Sequence, residues 1–543
     1  MKNLPPTIQC FFIYLQRPQV ELLPARKSSS YHRWQETEKT KRKDAETQRR
    51  KKTKRFSCAF VSLRLCVRLF IFLFQSSGRW LLTALLLTAC QLTIVDTRPL
   101  AIPVTGAPGL GDALFPALGN GGYDAQHYTL DLSVDVTRNF ITGTATMLAT
   151  ATQPLRSFNL DLAGLEVAAV SVNGLSAPFA RAQNELTITP TTALAVNLPF
   201  TVSVNYHGTP IPIRDPSVPF ATGIGWLAYE KGSYVMSEPS GAMSWYPVNN
   251  HPTDKATYTF RIRVPKPYVV AANGQPATPV EQGEQMLYVW QMAQPMASYL
   301  ATVNIAEYTV VTDEGPNGLP LYYYLPPESS KELTHILRPT AAMIDYYSQL
   351  IGPFPFTSYG GVVVSSNFPG ALEAQGMVVY SRGSLVEVAM AHELAHQWFG
   401  DSVSPARWQD IWLNEGFATY FEKLWLEKNK GRKILKATMR GLYQTLAARH
   451  TPAPGKPTAQ ELFGPGVYLR GAWALHALRI QVGDEQFFAI LRAYYARYRD
   501  RNASTEDFIA VAEQISGQPL ADFFAGWLYA AKMPPEPRWE NEP

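Results

Sequence analysis

The sequence predicts a multidomain α+β protein in which an all-β domain precedes a mainly helical one. Three observations carry this. From Tyr128 the run Tyr-Thr-Leu-Asp-Leu-Ser-Val-Asp puts Tyr128, Leu130, Leu132 and Val134 on one face and polar residues on the other, the period-two alternation of a half-buried strand. Past about residue 330 the apolar spacing changes to the three-and-four pattern of helices. With 46% hydrophobic content over 543 residues, the chain has ample material for more than one packed core.

Taken in order, residues 1–90 hold 18 Lys and Arg against 5 Asp and Glu, which leaves 31 basic and 39 acidic residues for 91–543. The overall charge of +5 therefore belongs to the N-terminus, and the body is acidic. An acidic body offers no cationic footprint for phosphates, so nucleic-acid binding is excluded as a function class. Residues 39–55 carry ten basic residues without apolar periodicity and read as a solvated, disordered run. Residues 80–89 are ten largely apolar residues, too short for a bilayer of about 30 Å but the length of a signal-peptide core. They end in Leu87-Thr88-Ala89-Cys90, which resembles the lipobox of bacterial lipoproteins. The expected location is the cell envelope, with a lipid on Cys90. The alternative is a membrane helix over 63–89, which has to absorb Arg64, Arg68 and Arg79. Because a signal normally lies near the terminus, translation is expected to start downstream, near 65–78. Residues 91–121, with Pro99, Pro103 and Pro108, read as a linker. The four cysteines stand at 10, 58, 66 and 90, so the body has neither disulfides nor thiolate metal sites.

The β domain is expected over 122–310, with strands from Tyr128 and at 159–167, 186–188, 200–206, 257–264 and 287–292. The second domain is expected over 311–543. Its helices fall at 331–350, 384–399, 409–428, 432–449, 467–481, 485–497 and 505–515, with strands near Leu321 and at 361–364. Ser404-Pro405 reads as a helix cap and first helical position.

The chemistry sits in His392-Glu393-Leu394-Ala395-His396. A spacing of four stacks two imidazoles on one helix face, within reach of one ion, with Glu393 beside them. A catalytic zinc needs three protein ligands and one open position. Glu415 follows His396 by 19 residues in apolar surroundings, next to Trp412 and Phe417. A carboxylate there is costly unless it is paired or bound to a cation, so His392, His396 and Glu415 around one Zn²⁺ explain all three.

The run HELAHQWFGDSVSPARWQDIWLNEGFATYFE closely resembles the gluzincin aminopeptidases, the aminopeptidase N and leukotriene hydrolase family. Their pattern is H-E-x-x-H, eighteen residues, then E. The resemblance extends from about Tyr123 to Pro535 and takes in Trp245-Tyr246-Pro247-Val248-Asn249-Asn250-His251-Pro252 and Pro295-Met296-Ala297-Ser298-Tyr299-Leu300. It implies a saddle-like β domain followed by a thermolysin-like, mainly helical zinc catalytic domain; with 75 residues after Tyr468, the C-terminal helical roof of larger relatives is not expected.

Roles follow from the chemistry and from the resemblance. Glu393 is placed as general base, since a carboxylate in reach can take a proton from zinc-activated water and return it to the leaving amine. Val467-Tyr468-Leu469-Arg470-Gly471 resembles the family's Y-x-K-G segment, which implies that Tyr468 stabilises the oxyanion; Arg470 departs from lysine but keeps the charge. Gly370-Ala371-Leu372-Glu373-Ala374 resembles the G-A-M-E-N exopeptidase motif. By that likeness Gly370 and Ala371 hold the substrate backbone as an added strand and Glu373 binds its α-amine. Leu372 conserves volume, whereas Ala374 removes a polar side chain and puts the loop geometry in question. Glu238 matches the position of a second amine-binding residue. The expected enzyme is a zinc aminopeptidase acting on peptides with a free N-terminus. The rivals are a zinc endopeptidase or epoxide hydrolase on the same scaffold, or a catalytically silent peptide-binding lipoprotein. Nothing in the sequence sets the oligomeric state.

Overall fold

The computed structural model describes residues 102–538 apart from 219–221, 367 and 369. The basic run 39–55, the apolar segment 80–89, the alternative membrane helix and Cys90 lie outside the described residues. Among the described residues no helix is long and apolar enough to cross a membrane.

Period-two alternation builds the first domain. Its largest sheet has nine strands, and the central ladder runs Gln285–Met296, Ala256–Pro265, Tyr123–Asp135, Phe140–Ala151, Pro199–Gly208, Glu166–Val172. Ala256–Pro265 and Tyr123–Asp135 are parallel, with Tyr258 opposite Tyr128 and Phe260 opposite Leu130. Tyr128, Leu130, Leu132 and Val134 are buried, each apolar side chain contributing about 1.5–3 kcal/mol. A four-stranded sheet ordered Gly225–Tyr229, Gly232–Met236, Val303–Ala306, Val269–Ala272 carries the chain toward Glu238.

Two expectations fail here. The single strand at 159–167 is two, Leu155–Asp161 and Glu166–Val172, because the chain turns at Gly164 with φ +71, a conformation glycine adopts without penalty. From residue 104 the segment expected as a linker is part of the fold. Val104–Thr105 pairs parallel with Leu155 and Ser157, and Asn120 Nδ2 donates to Asp161 at 3.0 Å. Asp112 accepts from Trp408 N, far along the chain, at 2.9 Å. Proline content alone does not make a tether when buried side chains find partners.

The second domain opens with a five-stranded sheet ordered Thr309–Glu314, Pro320–Leu325, Tyr359–Val364, Val378–Ser381, Ala371–Leu372. The boundary expected after residue 310 falls inside its first strand. Helices follow: α1 (Ser330–Leu337), α2 (Thr340–Leu350), α3 (Glu387–His396), α4 (Trp412–Lys430), α5 (Arg432–Ala448), α6 (Gly471–Tyr498) and α7 (Thr505–Ser516). The helix expected over 331–350 divides at Pro339, which precedes α2 and lacks the N–H to continue a helix. The two helices expected over 467–497 form one element, α6, kinked at Gly483 with φ +82 and preceded by a π-helical turn, Gly466–Arg470. Ser404-Pro405 caps no helix. Val403–Pro405 is a short strand paired parallel with Arg501–Ala503, a partner a hundred residues distant that local propensity does not see. α4 begins only after the turn Trp408–Asp410 and is buried on every side from Trp412 to Phe421, as expected of a helix apolar all round.

Candidate metal centre and active site

Helical spacing makes the first pair. On α3, His392 and His396 stand one turn apart, and their Nε2 atoms lie 3.0 Å from each other. α4 packs against α3 and brings Glu415 Oε2 to 3.1 Å from His392 Nε2 and 3.4 Å from His396 Nε2. All three residues are buried.

The outer atoms of the imidazoles are occupied. His392 Nδ1 donates to Glu422 Oε1 at 2.8 Å, and His396 Nδ1 donates to the Phe399 carbonyl at 3.1 Å. Both partners are acceptors, which fixes Nδ1 of each ring as a donor and leaves each Nε2 facing Glu415, the nitrogen that would give up its proton to a metal. Glu422 is itself paired with the buried Lys423. Burial pushes the Glu415 carboxyl up, but the two histidines outweigh it and bring it down to about 2.

Glu393 lies beside this triangle, with an oxygen in one cluster with His396 and Glu373 whose ligand atoms are mutually within 4.8 Å. Burial pushes its carboxyl up to about 7 against the pull of His392 and His396. Tyr468, on the π-helical turn, stacks its ring on His392, centroids 5.9 Å apart and planes 10° apart. Burial, then the charges of Glu415, Glu238 and Glu373, hold its phenol well above the usual range, so it keeps its proton as a donor.

Glu238 and Glu373 come from different domains and meet at the same place. One oxygen from each lies within 4.8 Å of the other and of Glu415. Both side chains are buried, and Oε1 of each has no hydrogen-bond partner among the described residues. Burial, then the neighbouring carboxylates, push Glu238 well up; burial likewise raises Glu373, against the histidines. Gly370, at φ +98, has open space where a Cβ would sit. Next to it Ala371–Leu372 is, among the described residues, the outermost strand of its sheet, paired there with Val378–Ser381 alone.

Two comparisons place this arrangement. The description "Peptidase M1 N-terminal domain" matches residues 124–300 and "Peptidase family M1 domain" matches 337–527. The crystal structure of the M1 zinc metallopeptidase from Deinococcus radiodurans superposes with a TM-score of 0.74 at 30% identity, over 80% of this chain and 100% of that one. The chain belongs to the M1 family of zinc metallopeptidases. A two-domain member bound to L-tryptophan aligns equally well, with a TM-score of 0.74 and 31% identity over 79% of this chain and 100% of that one. Glutamyl aminopeptidase from Sus scrofa is 28% identical over 320 residues, 53% of this chain but 34% of that protein. Aminopeptidase M1-B from Oryza sativa subsp. japonica is 27% identical over 314 residues, 53% of this chain and 36% of its own length. The chain thus spans about a third of the curated relatives it matches.

This M1 metallopeptidase has the donors for its zinc. A tetrahedral ion with bonds of about 2.0–2.1 Å separates its ligands by about 3.3 Å, and the Nε2, Nε2 and Oε2 separations of 3.0, 3.1 and 3.4 Å match that triangle. Two imidazoles and one carboxylate are also the donor set of catalytic zinc sites with an open position.

Sequence reasoning missed two supporting residues, Glu422 and Asp112, and the contacts of a third, Arg470. Glu422 stands seven residues after Glu415, two turns along the same face of α4, a signal that was available. Arg470 is fully buried, and among the described residues its hydrogen bonds run to carbonyls. Its guanidinium donates to the carbonyls of Trp527, Thr451, Gly526 and Ala530, tying the turn that bears Tyr468 to the C-terminal segment. Five fixed donors suit four carbonyls; an ammonium has three. Asp112 accepts backbone N–H from Trp408, Leu114 and Phe115, with His251 Nε2 at 3.6 Å.

Proposed function

We propose that this M1 metallopeptidase is an aminopeptidase that releases single N-terminal residues from peptides. The observation that carries the reading is the pair of buried, unpartnered carboxylate oxygens of Glu238 and Glu373 beside the His392, His396 and Glu415 triad. Buried carboxylates without a counter-charge are costly, and the α-ammonium of a peptide supplies that charge at one fixed distance from the triad. Cleavage is thereby confined to the first peptide bond. The relatives bound to L-tryptophan and to a Tyr-Ser-Ala substrate carry the class of ligand this pocket suits.

His392, His396 and Glu415 hold zinc, which when bound supplies Lewis-acid chemistry by polarising a carbonyl and acidifying water. Glu393 acts as general base, taking the proton from the attacking water and delivering it to the departing amine. The Tyr468 hydroxyl donates a hydrogen bond to the oxygen on which negative charge develops. Gly370 and Ala371 offer an open sheet edge to the substrate backbone, which gives affinity without sequence preference. Glu238 and Glu373 orient the amine.

The same reading puts the enzyme in the cell envelope, held by lipid on Cys90. What supports this is the short apolar run before Leu87-Thr88-Ala89-Cys90 and a body without cysteine; mass spectrometry of the native N-terminus tests it. The activity is tested with the purified protein on one peptide with a free and with an acetylated N-terminus, with and without chelator. Turnover that is metal-dependent and confined to the free amine is the expected result. Equal cleavage of both peptides overturns the aminopeptidase reading in favour of an endopeptidase.

A further inference from the structure

The segment that carries Glu373 has almost no regular structure of its own. It leaves the two-residue edge strand Ala371–Leu372 and returns as Val378–Ser381, with one internal turn bond from Met377 N to Ala374 O at 2.8 Å. Residues 373–376 are nonetheless buried, and buried backbone groups need partners. At position 374, where the resembling family has asparagine, this chain has alanine and no side chain to supply them.

Gln397 does so from the adjoining helix. It is fully buried. Its Oε1 accepts from Gly376 N at 2.8 Å, and its Nε2 donates to the carbonyl of Glu373 at 3.1 Å and to that of Glu393 at 3.3 Å. The third bond has a local cause. α3 tightens as it ends, so Gln397 N reaches Leu394 O at 3.2 Å, one residue short of the α-helical partner. The Glu393 carbonyl is one of the groups every helix end leaves over, and the Gln397 side chain takes it. One amide therefore satisfies three backbone groups: two on the loop with the amine-binding carboxylate, one at the general base. Opposite, Asn273 Nδ2 donates to Gln375 O at 3.0 Å and to Leu300 O at 2.9 Å, which anchors the loop to the β domain but makes no bond to Glu373.

We infer that Gln397 is a positioning residue for amine recognition: its side-chain amide sets where the Glu373 carboxylate stands relative to Glu393, and so sets selectivity for a free N-terminus. The inference rests on the aminopeptidase reading above. Gln397 touches no reacting atom and acts through Glu373. A misplacement of about 1 Å is enough to cost about a hundredfold in a positioned step, so freeing this loop acts on discrimination more than on zinc binding.

The test is the ratio of kcat/KM for a peptide with a free amine to that for the same peptide acetylated, measured on full-length wild type, Gln397→Leu and Gln397→Glu, with zinc content determined for each. A misfolded fraction scales both rates and cancels in the ratio, so a merely structural role leaves it unchanged. Gln397→Leu keeps the volume and loses all three bonds; its ratio is expected to fall at least about tenfold with zinc retained. Gln397→Glu keeps the acceptor for Gly376, loses both donors, and carries the test where Gln397→Leu does not fold. An unchanged ratio with both rates lowered, or failure of both variants to fold, overturns the inference. Glu373→Ala serves as the reference. If wild type shows no preference for the free amine, or Glu373→Ala keeps that preference, it is the aminopeptidase reading that fails.

Discussion

The two halves of the site are built in opposite ways. The metal half lies within one stretch, His392 to Glu422, on two adjoining helices, and the partners of its histidines lie in that same stretch: Phe399 O, three residues from His396, and Glu422, thirty residues from His392 on the next helix. The amine half joins Glu238, from the β domain, to Glu373, on a short loop at a sheet edge, and both leave an oxygen unpartnered. Bringing residues thirty positions apart together costs less chain entropy than joining residues from two domains. The amine half depends on contacts across the fold: Gln397 bonds the backbone of the loop that carries Glu373, and Asn273 bonds the same loop at Gln375.

The contrast can be broken or sharpened by experiment. The largest effect belongs to Glu393→Gln. General-base catalysis is worth about 10²–10⁴-fold, so kcat/KM falls by that factor while metal analysis still finds one zinc. Full activity in this variant removes the base from the metal half. Next come Glu373→Ala and acetylation of the substrate, each costing about tenfold to a hundredfold, since charge-assisted bonds are worth about 1.5–3 kcal/mol. In the double cycle acetylation hurts the variant much less than the wild type. Penalties that simply multiply separate the carboxylate from the amine. Glu422→Ala tests the local support of the metal half: zinc affinity, read by competition with a chelator, drops about tenfold to a hundredfold, with free-amine selectivity unchanged.

Arg470→Lys loses at least one of four carbonyl contacts. Stability falls by about 1–3 kcal/mol, visible as a lower Tm. kcat falls more than KM rises, because the turn bearing Tyr468 loosens. The smallest effect is at Asp112. Burial raises its carboxyl, but His251 and the backbone N–H groups of Trp408, Leu114 and Phe115 outweigh that and lower it to about 2. A depressed carboxyl stabilises the fold above its unfolded pKa, about 4, and that stability is lost as pH falls toward 2. Asp112→Ala therefore lowers stability by on the order of 1–2 kcal/mol at neutral pH, a difference that shrinks below pH 4 in denaturant titrations. Constant destabilisation down to pH 2 contradicts the ionic account.

Much of the metal half was legible because its information is local. A spacing of four on one helix, a carboxylate nineteen residues on in apolar surroundings, and a neighbouring base are patterns of one or two elements. Glu422 was legible by the same spacing. The alternation of Tyr128, Leu130, Leu132 and Val134 was legible too, since a strand with one buried face writes its period into the sequence. By contrast, Ser404-Pro405 has the chemistry of a helix cap and forms a strand, because Arg501–Ala503 lies alongside it. Residues 104–121 have the composition of a linker and are stitched in by Asp161 and Trp408.

By itself, then, the sequence determined the two kinds of secondary structure and the grouping of His392, His396 and Glu415 with Glu393 beside them, for each is set by periodicity and side-chain chemistry on one or two helices. Only the tertiary structure decided how Glu238 comes beside Glu373, why Arg470 is buried among four carbonyls, and what holds a loop that lacks asparagine at 374. Those depend on hydrogen bonds between residues tens to hundreds of positions apart, such as Gln397 to Glu373 and Asp112 to Trp408. Buried polar groups must find a partner, but nothing in local sequence says which one the fold will deliver.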